Sequence, residues 1–166
     1  VYSLYHEEST AYPNEGAPFR PGEVYPEYLF GDDNIASEAN SVYAGVRKTL
    51  RLAGLDAANY DTPAWNPLGA YIKPGMCVLV KPNLVMHENP TGNGTDCLYT
   101  PPSVIAAVID YVVVALKGSG SIVLADAPMQ SCDFDVLVDR SGLRELVAWY
   151  RSQGVDVDLR DMRGLK

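Results

Sequence analysis

The sequence is poor in positive charge. It contains 13 Lys and Arg residues against 21 Asp and Glu residues, which gives a net charge of −8 at pH 7. Proteins that bind duplex nucleic acid or an anionic membrane surface need a basic face. We therefore expect no nucleic acid and no membrane among the partners. A small anionic ligand remains compatible with this composition, because one local lysine or a few backbone amides are enough to bind it.

Cysteine is also scarce. The three cysteines are Cys77, Cys97 and Cys132, and no two of them form a C-x-x-C pair. Such an odd and sparse set does not predict a disulfide framework and is typical of a reducing compartment. The most apolar segment, residues 104–116, is interrupted by Asp110 and is too short to span a bilayer, and no signal peptide is recognisable. We therefore expect a cytoplasmic protein.

Several common nucleotide-binding and catalytic motifs are missing. The sequence contains no G-x-x-x-x-G-K-S/T phosphate-binding loop, no G-x-G-x-x-G dinucleotide fingerprint and no G-x-S-x-G nucleophile elbow. Its two histidines are His6 and His87, so any catalysis by histidine depends on one of them. These absences leave the identity of a cofactor unknown.

What the sequence does contain is an alternation of apolar segments that predicts strands and helices in turn. The first two predicted strands are continuous apolar runs, which is typical of parallel strands covered on both faces. The predicted strands are residues 76–80, 121–125 and 155–159, and the predicted helices between them are residues 103–117, 133–141 and 143 to the stop at Gly154. We expect a single α/β domain, a three-layer, Rossmann-like sandwich in which helices flank a mostly parallel sheet.

The N-terminal part is predicted to be less regular. Residues 1–5 are predicted as a strand, and residues 6–31 contain four prolines and three tyrosines, which excludes a helix or an interior strand. We expect this segment to be an arm whose tyrosines pack on the body. A helix is predicted from Ile35 to Ala53, capped by one of residues 32–34. Because the chain starts without Met and stops shortly after a strand, we expect it to be a fragment of a longer protein.

The helix predicted at residues 103–117 is unusually apolar. Its clearly polar residues are Ser103, Asp110 and Lys117, which are seven apart and form one thin stripe. Such a helix is buried on most of its sides. We expect a second copy of the chain, in a homo-oligomer, or a missing C-terminal part to cover it.

Polar residues follow the first two strands at the point where each strand ends. Lys81 and Asn83 come after Val78-Leu79-Val80, and Asp126 and Gln130 come after the second strand. The carboxyl ends of parallel strands form the edge at which open α/β sheets bind ligands. We expect Lys81 to neutralise an anionic group, Asn83 and Gln130 to bind the ligand, and Asp126 to act as a base, a metal ligand or a clamp on sugar hydroxyls.

Other interpretations of these residues remain open. Lys81 and Asp126 can equally form an ion pair that only ties two strand ends together. His87 lies in a loop at the same edge and is a further candidate for ligand binding. A transition-metal site is a weaker hypothesis, since its mixed N, S and O donors lack a tight spacing, and we assign no metal ligands. Those donors are His87, Cys97, Asp126, Cys132, Asp133 and Asp135.

The segments at this edge also carry a family resemblance. Pro74-Gly75, residues 78–85, residues 100–105 and residues 122–128 resemble the family called domain of unknown function 362. Three further strings resemble a branch of that family that is found with cell-surface polysaccharide genes. They are residues 126–135, Tyr25-Pro26-Glu27-Tyr28 and Trp65-Asn66-Pro67-Leu68-Gly69. The resemblance implies an uncharacterised protein with a link to polysaccharide biosynthesis.

The sequence departs from the family pattern in two places. Many members have a His before the Pro that opens the helix, and here that position is Pro101. Some members carry ferredoxin-type cysteine clusters, which this sequence lacks.

Three hypotheses for the function follow from the sequence. The first hypothesis is an enzyme domain that binds a small anionic or glycan-derived metabolite. A non-catalytic module that binds a ligand or a partner is the second, and a redox or metal accessory module is the third.

Overall fold

A three-stranded sheet and four α-helices make up the fold in a computed structural model that describes residues 12–13, 16–95 and 97–164. The strands are β1 (Cys77–Val80), β2 (Ser121–Asp126) and β3 (Val157–Asp161). The helices are α1 (Ser41–Leu52), α2 (Pro102–Leu116), α3 (Phe134–Arg140) and α4 (Leu143–Ser152), with a short 3-10 helix at Ala57–Asn59. The predicted α/β fold with a parallel sheet is confirmed. The strand predicted at residues 1–5 lies outside the described residues.

The order of the strands determines where the helices lie. The sheet has the order β1-β2-β3, and both neighbouring pairs are parallel. Right-handed crossovers that advance in one direction place their helices on the same face of a sheet. In agreement, Ile122, Leu124 and Val157 belong to one apolar cluster with residues of α2 and α4.

The opposite face of the sheet is open along β1. Cys77 is exposed and Leu79 is 54% exposed, whereas Val78 and Val80 pack against the core. The prediction that β1 is covered on both faces is therefore wrong. A continuous apolar run contains no regularly spaced polar residues, so the sequence does not show which face of the strand is exposed.

Helix α2 is buried between the sheet and a second layer of this chain. Ile109 on one side packs in the sheet cluster, and Tyr111 on the other side packs against α1 and the arm. Ser103 and Asp110, predicted on a polar stripe, are buried as well. The cover that we expected from a second copy or a missing part is thus supplied within the chain, while a homo-oligomer stays a prediction.

The arm is fixed to the body by aromatic rings and a buried ion pair. The ring of Tyr25 stacks on that of Tyr43 with their centroids 5.6 Å apart. Glu27 accepts a hydrogen bond of 2.7 Å from Arg47 Nε and one of 3.0 Å from the hydroxyl of Tyr111. The packing of the arm is therefore specified by charge and hydrogen bonding as well as by apolar area.

The start of α1 differs from the prediction. The helix begins at Ser41 rather than Ile35, and its cap is Asn40 rather than one of residues 32–34. Asn40 Oδ1 accepts a hydrogen bond from the Tyr43 amide at 3.0 Å, and Asn40 Nδ2 donates to two carbonyls of the arm. The chosen cap depends on contacts with a distant segment, which local sequence does not reveal.

The remaining elements lie close to their predicted positions. Helix α3 is capped by Asp133, since its Oδ1 accepts a hydrogen bond from the Val136 amide at 3.1 Å. Strand β3 is at an edge of the sheet and begins at Val157 rather than Val155. Within the described ranges, no helix combines the length and the apolar character that a membrane crossing requires.

Candidate functional site

The parallel register brings the ends of β1 and β2 together. Val80 pairs with Leu124, so the residues that follow both strands emerge at the same edge of the sheet. Lys81 Nζ lies 2.8 Å from Asp126 Oδ1. The structure thus places the two predicted catalytic residues in direct contact, as an ion pair at the carboxyl-end edge.

Asp126 is the buried partner of this pair. Its Oδ1 also accepts a hydrogen bond of 2.8 Å from the Ala127 amide, and its Oδ2 accepts one of 2.7 Å from the Leu84 amide. Burial opposes ionisation of the carboxyl, but the hydrogen bonds from Lys81 and from the two amides outweigh it and lower the pKa of Asp126 below its usual value. Asp126 is therefore a carboxylate at neutral pH that fixes both Lys81 and the turn at Leu84.

Lys81 is the open partner. Its side chain is 57% exposed, and its other contact is a long one of 3.4 Å from Nζ to the carbonyl of Pro82. An ammonium group has three donors. Since Asp126 occupies one of them and the Pro82 contact is long, Lys81 keeps donors and charge available at the surface.

The segment after Lys81 is stiffened by pairing with the residues before α2. The Asn83 amide donates to Thr100 Oγ1 at 2.9 Å, the Thr100 amide donates to the Asn83 carbonyl at 2.7 Å, and Leu84 forms an antiparallel bridge with Tyr99. The Asn83 side chain is exposed, and no hydrogen bond joins it to a described residue. The pairing fixes the backbone and leaves this amide free for a ligand.

The loop after β2 is organised by an arginine. Arg163 Nη1 donates to the carbonyls of Met129 and Cys132, both at 2.8 Å, while its Nε and Nη2 bind the carboxylate of Asp161. The side chain of Gln130 is exposed in this loop. Gln130 thus lies at the predicted edge, in a loop whose backbone is anchored from β3.

Sequence reasoning missed Arg163 and Asp161. The hydrogen bonds from Arg163 hold the pKa of Asp161 below its usual value, so the pair is ionised. No motif marks either residue. Their position in the sheet was the one available signal, because Asp161 ends β3 and Arg163 follows it at the carboxyl-end edge. We had looked for site residues only at the ends of the first two strands.

His87 connects the two loops of this edge. Its Nδ1 accepts a hydrogen bond of 3.0 Å from the Asp133 amide, and its Nε2 lies 3.9 Å from Glu88 Oε1. An Nδ1 that accepts a hydrogen bond carries no proton, which leaves Nε2 as the donor in the neutral ring. His87 therefore has a structural role through Nδ1, and Nε2 remains its candidate ligand atom.

The predicted metal donors are not brought together. In the part of the chain that the structure describes, no group of three or more His, Cys, Asp or Glu side chains is placed to bind a metal ion. Cys97 is exposed, whereas Cys132 is buried, and burial raises the pKa of its thiol. Asp133 caps α3, and Asp135 pairs with Arg144 at 2.8 Å.

A cleft opens at the opposite, amino-end edge of the sheet. Its volume is about 470 Å³, and Leu29, Phe30, Val113 and Leu116 form its apolar wall. Asp156 is the one charged residue among the described residues that line it. This described lining contains no basic residue that could bind an anion, so we retain the carboxyl-end edge as the candidate site.

Comparisons with known proteins place the candidate site inside a known family region. The model of the family described as Domain of unknown function (DUF362) matches residues 78–164, which is just over half of the chain. The matched region starts in β1 and includes Lys81, Asn83, Asp126 and Arg163. No curated protein and no solved structure matches the chain.

Proposed function

The chain belongs to the family described as Domain of unknown function (DUF362), and we propose that it binds a small anionic or glycan-derived metabolite at the carboxyl-end edge of its sheet. Lys81 is the electrostatic anchor in this proposal. The observation that carries it is the asymmetry of the ion pair: Asp126 is buried, while the side chain of Lys81 is 57% exposed. Because Asp126 holds the ammonium group of Lys81 in place and the rest of that group faces solvent, Lys81 is oriented for an anion before the anion binds.

Polar side chains near Lys81 support a ligand that carries hydroxyl groups. Asn83 and Gln130 are both exposed at this edge, and each amide group both donates and accepts hydrogen bonds. His87 Nε2 adds a further donor. Such a set suits a sugar or another polyhydroxylated metabolite with an attached phosphate or carboxylate.

Two versions of this function differ in the role of Asp126. In an enzyme domain, Lys81 and Asp126 take part in catalysis. In a non-catalytic binding module, Asp126 only positions Lys81 and the turn at Leu84. The lowered pKa of Asp126 favours the second version, because an ionised and paired carboxylate is a weak base and cannot donate a proton at neutral pH.

The finer parts of the proposal rest on other observations. The glycan-derived ligand follows from the resemblance to the branch found with polysaccharide genes. A cytoplasmic location is supported by the sparse free cysteines, Cys77, Cys97 and Cys132. A redox or metal accessory role has no cluster of donor side chains to support it within the described residues.

The proposal is tested with a sugar phosphate, glucose 1-phosphate, added to the ¹⁵N-labelled protein at constant ionic strength. We expect the backbone amide signals of Leu84 and Ala127 to shift and saturate, because both amides bind the Asp126 carboxylate. In Lys81→Met the affinity falls about tenfold or more, as expected for the loss of a charged hydrogen-bonded partner.

Lys117→Met is the matched control for this experiment. Lys117 is an exposed lysine at the C-terminal end of α2, and its replacement changes the net charge equally. We expect this variant to bind like the wild type. Equal binding by wild type and Lys81→Met, or an equal loss in Lys117→Met, refutes the role of Lys81 as the anchor.

A further inference from the structure

A second cavity lies at the N-terminal end of α2, where the structure leaves a helix end without a side-chain cap. Residue Pro101 precedes the helix and offers no capping group, and the first turn contains no acidic residue. The amides of Val104 and Ile105 both use the carbonyl of Pro101. The positive end of a helix of 15 residues is therefore not neutralised by any described side chain.

Ser103, in the first turn of α2, is buried without a hydrogen-bond partner. The residue is 2% exposed, and its hydroxyl oxygen meets no partner among the described residues. Buried hydroxyl groups are nearly always paired, because an unpaired one costs free energy. Ser103 also lines a cavity of about 180 Å³ in front of the helix end. A ligand in that cavity would supply the missing partner.

Arg140, at the end of α3, brings positive charge to the same cavity. Its one hydrogen bond to a described residue is a long one of 3.4 Å from Nη1 to the carbonyl of His87. Its neighbour Arg144, by contrast, pairs with both Asp135 and Asp139. Arg140 is the one charged residue among the described residues that line the cavity, so its guanidinium is available to an anion.

The walls of the cavity are formed largely by prolines and aromatic residues. Pro101 and Pro102 form one part of the wall, and the aromatic residues Tyr12, Phe19 and Tyr99 form another. Rings of prolines and aromatic residues pack against the apolar face of a sugar or another ring. The cavity thus combines an anion-binding end with a surface for a ring.

We propose that this cavity, lined by the N-terminal end of α2, Ser103 and Arg140, binds the phosphate or carboxylate group of a small ring-containing molecule. The oxyanion accepts a hydrogen bond from the Ser103 hydroxyl and pairs with the Arg140 guanidinium, while the ring packs on the Tyr99 and Pro102 side. This site is separate from the one anchored by Lys81, and neither proposal depends on the other.

The test follows the amide signals of Ser103 and Val104 while inorganic phosphate or, separately, acetate is added at constant ionic strength. We expect a saturable shift with one of the two anions, and the anion that gives it identifies the group as phosphate or carboxylate. The shift is weakened about tenfold or more in Arg140→Met, and it is retained in the control Lys117→Met, which removes a lysine from the other end of α2. Lys81→Met retains the shift too, which separates this site from the first.

Ser103→Ala distinguishes a ligand-binding hydroxyl from a structural one. Because the hydroxyl has no partner in the fold, we expect the melting temperature to stay the same or rise while the affinity for the anion falls. A lower melting temperature with unchanged affinity overturns the proposal. It is equally overturned if neither anion gives a saturable shift, or if Lys117→Met weakens binding as much as Arg140→Met.

Discussion

Two ion pairs of nearly equal length have opposite surroundings in this molecule. Arg47 and Glu27 are 2.7 Å apart, and their side chains are 8% and 2% exposed. Lys81 and Asp126 are 2.8 Å apart, but here one partner is buried and the other is largely open. The two pairs therefore differ not in distance but in the exposure of their partners, and only the pair at the edge of the sheet has a partner that a ligand can reach.

The buried pair is enclosed by further partners. Arg47 also donates to the hydroxyl of Tyr60 at 2.7 Å and pairs with Asp61 at 3.0 Å, and its guanidinium lies 4.4 Å from the centre of the Tyr25 ring. Little surface of this side chain is left for a ligand, since it is 8% exposed. The pair at the edge of the sheet differs in this respect, because Lys81 meets solvent on the side away from Asp126.

The first and largest test of this comparison is Arg47→Met. We expect it to lower the free energy of unfolding by about 3–5 kcal/mol, because it leaves the Glu27 carboxylate buried without its counter-charge. Urea unfolding followed by circular dichroism measures the change. Arg144→Met, which breaks two exposed pairs, is the control and should unfold at nearly the wild-type urea concentration. A loss below about 1 kcal/mol for Arg47→Met shows that the buried pair does not fix the arm.

Asp126→Ala is expected to have the next largest effect, about 2–3 kcal/mol, since it removes the acceptor of the buried Leu84 amide as well as the partner of Lys81. The effect depends on pH. The lowered pKa of Asp126 in the folded state gives stability that is present above the unfolded pKa and is lost as the pH falls through the folded pKa. Urea unfolding from pH 7 down to pH 3 should show the variant and the wild type converging below about pH 4. If the difference in free energy of unfolding between wild type and variant is constant from pH 7 to pH 3, Asp126 is not the ionised group that we infer.

Asp110→Asn tests a buried carboxyl that has no cation. Burial raises the pKa of Asp110 to about 7, although hydrogen bonds from Tyr150 and Tyr43 act in the opposite direction. A raised folded pKa means that the wild type loses stability as the pH rises from the unfolded pKa near 4 towards 7. Asn does not ionise, so we expect the free energy of unfolding of the variant to rise relative to that of the wild type between pH 4 and pH 8. Urea unfolding of both proteins at pH 4 and at pH 8 measures this. The prediction is contradicted if the difference in free energy of unfolding between variant and wild type is the same at the two pH values.

Lys81→Met is expected to have the smallest effect on stability, at most about 0.5 kcal/mol, because a pair with an exposed partner contributes little in solvent. Thermal unfolding without ligand measures it. The same variant has the largest expected effect on binding of glucose 1-phosphate. This separation of stability from affinity is what the comparison of the two pairs predicts.

The sequence predicted the edge of the sheet but not how its residues are held. Local signals were sufficient for the first part, since an apolar run followed by Lys81 or by Asp126 defines a strand end, and parallel strands end at one edge. The hydrogen bond from the Leu84 amide to Asp126 joins residues that are 42 positions apart. No periodicity or motif encodes a contact of that kind.

Long-range contacts also explain the errors in the fold. Asn40 became the cap of α1 because the arm presents carbonyl groups to it. Cys77 is exposed because the helices of this chain lie on one face of the sheet, which a continuous apolar run could not indicate. Arg163 was missed because it recognises carbonyl groups of a loop, for which no sequence pattern exists.

The role of Lys81 as the anchor is tested most directly by comparing Lys81→Met with the wild type in one titration with glucose 1-phosphate, followed through the amide signals of Leu84 and Ala127. We expect a saturable shift in the wild type and an affinity at least about tenfold weaker in the variant, with both proteins equally folded. A variant that binds the sugar phosphate as tightly as the wild type, or one that unfolds without ligand, would show that the Lys81 and Asp126 pair is structural, like the pair of Arg47 and Glu27.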